Sequence, residues 1–302
     1  MEKIIRIGTR DSKLALWQAQ TVQTLLEQQG YRTSLVSVKS EGDLDLVTPL
    51  YAMGVQGVFT KTLDAYLLSQ KIDIAVHSLK DVPTQWAQGL CPVAVLERAD
   101  VHDLCIPHPN PNKAITNTIA TGSVRRKAQW LHRYPNTKIE NLRGNLQTRL
   151  QKLEDSTWDA AIFAAAGLDR LAIRPSNAEV LDWMLPAPAQ GAVVVAARIE
   201  DHFIKEACQQ LNHFETAICV EQERMFLKTL MGGCSTPISA LASIHKERLF
   251  FRANILMPDG SQKMEIEKEV AIDQAATLGE HLALELLAQG AHKIVTAIRN
   301  FV

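Results

Sequence analysis

The chain has 302 residues, 46% of them hydrophobic, with 32 Lys plus Arg against 33 Asp plus Glu and a formal net charge of -1. This balance excludes a disordered chain, a collagen-like chain and a globally basic nucleic-acid binder, and at roughly 150 residues per domain the length sets a prior of two domains. The total hides a local imbalance: residues 1–109 carry 10 Lys/Arg and 12 Asp/Glu and residues 175–302 carry 11 and 16, whereas 110–174 carry 11 and only 5.

The N-terminus, MEKIIRIGTRDSKLALW, reaches a charged residue within every short stretch and holds no apolar core of signal-peptide length, so a cytoplasmic protein is expected. The longest apolar runs, such as Gly191 to Ala197, fall far short of the roughly 18 residues that span a bilayer, and no membrane span is expected. Cysteines at 91, 105, 208, 219 and 234 are odd in number and form no C-x-x-C pair, which argues against a disulfide framework and a zinc ribbon. No metal site is expected.

In chain order, KIIRIG reads as a strand, and Leu14, Trp17, Val22, Leu25 and Leu26 then fall near helical spacing, with Gly30 as the stop. TSLVSV is a second strand, residues 59–70 a helix and IDIAVHS a third strand. Residues 40–58 fit neither period and are expected to form a lid. The rhythm resumes with TIATG and a helix from about Val124, KIENL and a helix from about Leu146, and DAAIFAAAG with a helix after it. Such βαβ alternation predicts two α/β units, whose ligands would sit at the carboxyl ends of the strands. From about residue 214 the texture becomes a helix, three strands with a PDG turn, and a helical region Asp273–Ala288 with Asp273 as N-cap and Gly290 at its exit: a small α+β unit.

Seven arginines, 125, 126, 133, 143, 149, 170 and 174, supply most of the basic excess of the middle segment. Arginine keeps its charge and grips carboxylates or phosphates through paired N–H bonds, so an anionic ligand is indicated, although any single arginine could lie on a solvated helix face. TGSVRRKAQ places small residues at a strand end and two arginines at a helix start, where backbone N–H groups can receive an anion. NLRGNLQTRL and AAAGLDRL repeat the device with Arg143, Arg149 and Arg170, and the three turns would face one cleft. HSLKDVP brings Lys80 and Asp81 to another strand end, and LMGGCSTPI puts Cys234 in a glycine-rich loop that a ligand could approach. These features also fit a non-catalytic two-lobed anion receptor, with Cys234 inert. A nucleotide-dependent enzyme is a third reading, but G-x-G-x-x-G and G-x-x-x-x-G-K-[ST] are both absent.

Taken in order, RIGTRDSKLALWQA, DIAVHSLKDVP, TGSVRRKAQ, NLRGNLQTRL, AAAGLDRL, PAQGA and GGCSTPI resemble the porphobilinogen deaminase family, from Ile4 to about Ala297. The resemblance implies an α/β fold: two periplasmic-binding-protein-like α/β domains around a cleft, 1–95 with 190–212 and 96–189, plus a C-terminal α+β domain, 213–302. It implies a monomeric transferase that condenses four porphobilinogen molecules into linear hydroxymethylbilane with loss of ammonia, and no nucleic-acid or membrane partner. A dipyrromethane primer would be attached to Cys234 by a thioether, and Asp81 would be catalytic. By the same resemblance Lys80, Asp81, Thr121, Ser123, Arg125, Arg126, Arg143, Gly144 and Arg170 hold that cofactor, while Arg10, Ser12, Arg149 and Gln190 contact substrate. The chain departs from the family in the lid, where PLYAMGVQGVFTKT stands for PLxKxGxKGxFxKE: Ala52 and Gln56 replace two lysines, Thr62 replaces Glu, and Lys61 remains. Gly122 replaces the usual Ser before S-x-R-R, which on sequence is a minor change.

Overall fold

The computed structural model describes residues 3–39, 57, 60–110, 114–233 and 236–301. Strand β1 (Ile4–Arg10) buries Ile5 and Ile7 and leads into α1 (Lys13–Gln28), whose N-terminus is capped by Ser12, its hydroxyl accepting the Ala15 N–H. Ala15, Ala19, Val22 and Leu26, spaced three or four apart, form the buried face of α1. The helix ends as expected at Gly30, whose φ of 89° lets Tyr31 N–H turn back to the Leu26 carbonyl. Next come β2 (Arg32–Val38), α2 (Lys61–Leu68), β3 (Ile74–Ser78), a single 3-10 turn over Leu79–Asp81, and β4 (Leu90–Val95). The proposed lid, 40–58, lies outside the described residues apart from Gly57.

A second unit follows: β5 (Asp103–Pro107), β6 (Thr118–Ala120), α3 (Val124–Arg133), β7 (Lys138–Glu140), α4 (Leu146–Glu154), β8 (Ala160–Ala164), α5 (Ala165–Arg170) and β9 (Glu179–Val180). The chain then returns to the first unit with β10 (Val193–Arg198) and α6 (His202–Gln209). The first sheet runs β2-β1-β3-β10-β4 and the second β7-β6-β8-β5-β9. In each, three parallel strands are followed by one antiparallel strand that the chain enters on crossing from the other lobe, so the two sheets share one design. Two chain segments, 96–102 and 181–192, therefore cross between the lobes. Strand β10 shows no alternation because both its faces are covered: Val193, Val195 and Ala197 meet α1 and α6, Ala196 meets α2, and Val194 meets Leu79 and Val82.

The remainder forms α7 (Phe214–Thr229), the antiparallel meander β11 (Ile238–His245), β12 (Arg248–Leu256) and β13 (Lys263–Ala271), then α8 (Leu278–Leu286) and α9 (His292–Phe301). Its core joins Phe226 of α7 to Phe251 of β12 and to Leu282 and Leu286 of α8. The expected helical region Asp273–Ala288 is corrected here. Asp273 lies in a 3-10 turn rather than at an N-cap, and α8 starts only after Thr277. Gly290 is not an exit: at φ 113° it bends a wide turn, Leu287–Ala291, that continues into α9. The chain goes on because Ala291, Ile294, Val295 and Ile298 offer the same core another helical face. Among the described residues no helix is long and apolar enough to cross a membrane.

Candidate active site

The site is built from strand ends. Strands β6, β7 and β8 are parallel neighbours, so the turns that follow them open on one edge of the second sheet. After β6, the Thr121 hydroxyl accepts the Ser123 N–H at 3.2 Å, and Ser123 caps α3 by accepting the Arg126 N–H. This places Arg125 and Arg126 in the first helical turn, both buried. Gly122 has no room for a side chain: a Cβ there would lie 2.5 Å from the Leu142 carbonyl oxygen, in the turn after β7. That turn carries Arg143 and Gly144, and Gly144 adopts φ 117° with its Cβ direction closed by Thr148. Arg149 lies on α4, and Arg170 is the last residue of α5.

A residue that sequence reading did not single out organises the arginines. Asp103, the first residue of β5, is fully buried. Its Oδ1 accepts from Arg126 Nε at 3.0 Å, Arg126 Nη2 at 2.8 Å and Gln190 Nε2 at 3.0 Å. Its Oδ2 lies 2.7 Å from Arg125 Nη1, which also donates to the Leu185 carbonyl. Burial pushes the Asp103 carboxyl upward, yet Arg125 and Arg126 overcome this and hold it well below the usual carboxylate range. Burial lowers the Arg126 guanidinium pKa, with Asp103 opposing the shift. One carboxylate thus balances part of two cations.

Across the cleft, Lys80 and Asp81 sit in the 3-10 turn at the carboxyl end of β3. Burial pulls the Lys80 ammonium down to about 8, a shift that Asp81 opposes. Lys80 Nζ donates a long bond, 3.4 Å, to Gln190 Oε1, so Gln190 runs from Lys80 on one side to Asp103 on the other. Arg149 is pushed down to about 10 by burial and then by Arg126, with Asp81 opposing, and its guanidinium stacks 5.5 Å over Phe163. Lys80, Asp81, Arg125, Arg126, Arg143, Arg149 and Gln190 therefore form one electrostatic cluster. Arg170 is held separately, donating to the Gly191 carbonyl at 2.7 Å over the Trp17 ring. Arg10 and Ser12 stand at the end of β1, beside β3, where burial, with the Arg10 charge adding to it, pushes His77 down to about 4. Cys234 lies outside the described residues. Burial raises the Cys105, Cys208 and Cys219 thiols to about 12, which leaves them poor nucleophiles. Among the described residues no group of His, Cys, Asp and Glu could hold a metal ion.

Two family models cover nearly all of the chain. Residues 5–206 match the dipyrromethane cofactor-binding domain of porphobilinogen deaminase, and residues 217–288 match its C-terminal domain. The chain belongs to the porphobilinogen deaminase family. It is a transferase of tetrapyrrole biosynthesis that joins four porphobilinogen molecules head to tail, releases ammonia and yields linear hydroxymethylbilane. Solved structures of low identity are also matched. The periplasmic VFT2 domain of Bordetella pertussis BvgS is 13% identical, with 69% of this chain and 86% of that one covered and a TM-score of 0.42. A putative methionine-binding lipoprotein from Bacillus subtilis is 12% identical, with 70% and 90% covered and a TM-score of 0.41.

Proposed function

We propose that this member of the porphobilinogen deaminase family holds its dipyrromethane through a thioether to Cys234, and that Asp81 is the catalytic residue of ring addition. The observation that carries the reading is the charge of the cleft. Lys80, Arg125, Arg126, Arg143 and Arg149 are gathered around the carboxylates of Asp81 and Asp103, and the Nε atoms of Arg125 and Arg149 are buried without a hydrogen-bond partner. A dipyrromethane carries an acetate and a propionate on each ring, so these donors fit it. Charge-assisted hydrogen bonds of this kind contribute roughly 1.5 to 3 kcal/mol each. Bound there, it supplies the free pyrrole carbon to which the first substrate ring is joined. Sheet membership supports three domains, 1–95 with 190–212, 96–189 and 213–302.

The remaining chemistry falls to the chain's own side chains. Arg10, Ser12, Arg149 and Gln190 orient substrate, while Lys80, Thr121, Ser123, Arg125, Arg126, Arg143, Gly144 and Arg170 hold the rings already in place. As the aminomethyl C–N bond of porphobilinogen breaks and ammonia leaves, positive charge spreads over the pyrrole. The Asp81 carboxylate accepts the pyrrole N–H and faces that charge. At about 4 Å and an effective dielectric near 20 the attraction is roughly 4 kcal/mol. Bond formation to the neighbouring ring carbon and loss of its proton complete the step.

Two variants test this together. Asp81→Asn is expected to keep the fold and the covalent adduct seen by intact mass, and to lose at least about 100-fold in turnover. Cys234→Ser is expected to lose the adduct mass. Near-full activity in the first variant, or an unchanged adduct in the second, overturns the corresponding assignment.

A further inference from the structure

The turn that carries Lys80 and Asp81 is not held by its own lobe alone. Arg224, on α7 of the C-terminal part, donates from Nη1 to the Val82 carbonyl at 2.9 Å and to the Leu79 carbonyl at 3.4 Å, and from Nη2 to the Pro83 carbonyl at 2.6 Å. One guanidinium thus grips backbone on both sides of Lys80–Asp81. The same planar group lies 5.8 Å from the centre of the Trp86 ring, which limits its freedom. Apolar contacts run in parallel: Leu79 and Val82 pack with Val220 and Ala217 of α7. The helix itself is fixed one residue earlier, where buried Glu223 accepts from Arg98, from the Ala189 N–H and from the Ala242 N–H.

We infer that Arg224 is a positioning residue for Asp81, fixing the active-site turn from the C-terminal domain. A single turn of 3-10 helix has one internal bond here, Val82 N–H to the Leu79 carbonyl at 3.2 Å, and cannot set its own tilt. A carboxylate that must meet pyrrole N–H groups and a developing cation is sensitive to tilt, since a displacement of about 1 Å can cost on the order of 100-fold in rate. Arg224 suits the task because its fork reaches three carbonyls at once, which an ammonium on a flexible stem cannot match. The inference depends on the catalytic assignment of Asp81, and the test separates the two.

The experiment uses the full chain with its adduct verified by intact mass, comparing wild type, Arg224→Met, Arg224→Lys and Asp81→Asn. Steady-state kcat and KM are read together with hydrogen exchange of a peptide spanning residues 79–86. For Arg224→Met the expected result is a kcat lowered about 10-fold or more with KM within about threefold, and faster exchange in that peptide but not in α7. Arg224→Lys, which restores some of the donors, should recover part of both effects. The inference is overturned if Arg224→Met keeps kcat within about twofold, or loses kcat with unchanged exchange in 79–86, or behaves no differently from Arg224→Lys. Should Arg224→Met not fold, Arg224→Lys alone decides: faster exchange with a proportionate loss of kcat supports the inference, and wild-type kcat overturns it. Activity retained by Asp81→Asn refutes the catalytic assignment instead, whatever Arg224 does.

Discussion

Asp103 shows how a single buried group can decide what a basic cleft offers its ligand. Without it, the adjacent guanidinium groups of Arg125 and Arg126 would repel each other in a water-poor setting. With it, both are anchored and their orientation is set before any ligand arrives. Removing one partner of such a buried cluster leaves uncompensated charge and costs about 3 to 5 kcal/mol. Asp103→Asn is therefore expected to lower the thermal midpoint markedly at pH 7. The pH dependence has a definite sign. The folded carboxyl titrates below its unfolded value, so its contribution is complete above about pH 4 and is lost as pH falls below that value. Thermal unfolding of both forms from pH 7 to pH 3 should show the gap narrowing at the acid end; a constant gap would mean that the carboxylate charge is not what Asp103 contributes.

The turns after β6 and β7 are built against each other, and this makes Gly122 more than a minor departure from the family pattern. With a Cβ only 2.5 Å from the Leu142 carbonyl, a serine would push the Arg143 turn away from the Arg125–Arg126 turn. Gly122→Ser is expected to destabilise by about 1 to 3 kcal/mol and to raise KM more than it lowers kcat, as judged by thermal unfolding and steady-state kinetics. Strand-end turns of this kind were legible in sequence because a short β-branched run, small residues and an arginine follow one another within a few positions. Strand β10 could be placed with the first domain only through the family resemblance, since a run buried on both faces has no period that names its neighbours. The expected helix at Asp273–Ala288 failed for a related reason: an aspartate and a glycine mark local ends, but the core that drew α9 onward lies on distant strands. Asp103, Glu223 and Arg224 left no local signal either. Their partners are far away in sequence, and an isolated charge at a strand or in a helix reads as solvated until the fold buries it.

At the scale of the whole molecule, two crossing segments join the lobes, and both are tied to the C-terminal domain by one carboxylate. Arg98 comes from the first crossing and Ala189 from the second. Glu223, fully buried, accepts from both and from Ala242 of β11. The second crossing is itself strained: Ala189 sits at φ 61°, and Gly191, at φ 86°, leaves no space for a Cβ beside the Ala99 carbonyl. Gln190, which bridges Lys80 and Asp103, stands between these two residues, so the clamp fixes a side chain that spans the cleft. Glu223→Gln keeps the shape but turns an amide NH2 toward donors, leaving Arg98 or a backbone N–H buried and unsatisfied. The cost should be about 3 to 5 kcal/mol, read as a lower thermal midpoint. If the clamp also governs lobe motion, limited proteolysis within 96–102 and 181–192 should accelerate well below the unfolding temperature, where global unfolding is too rare to account for cleavage. Cleavage that rises only in step with global unfolding would reduce Glu223 to a packing role and leave the lobes free to move without it.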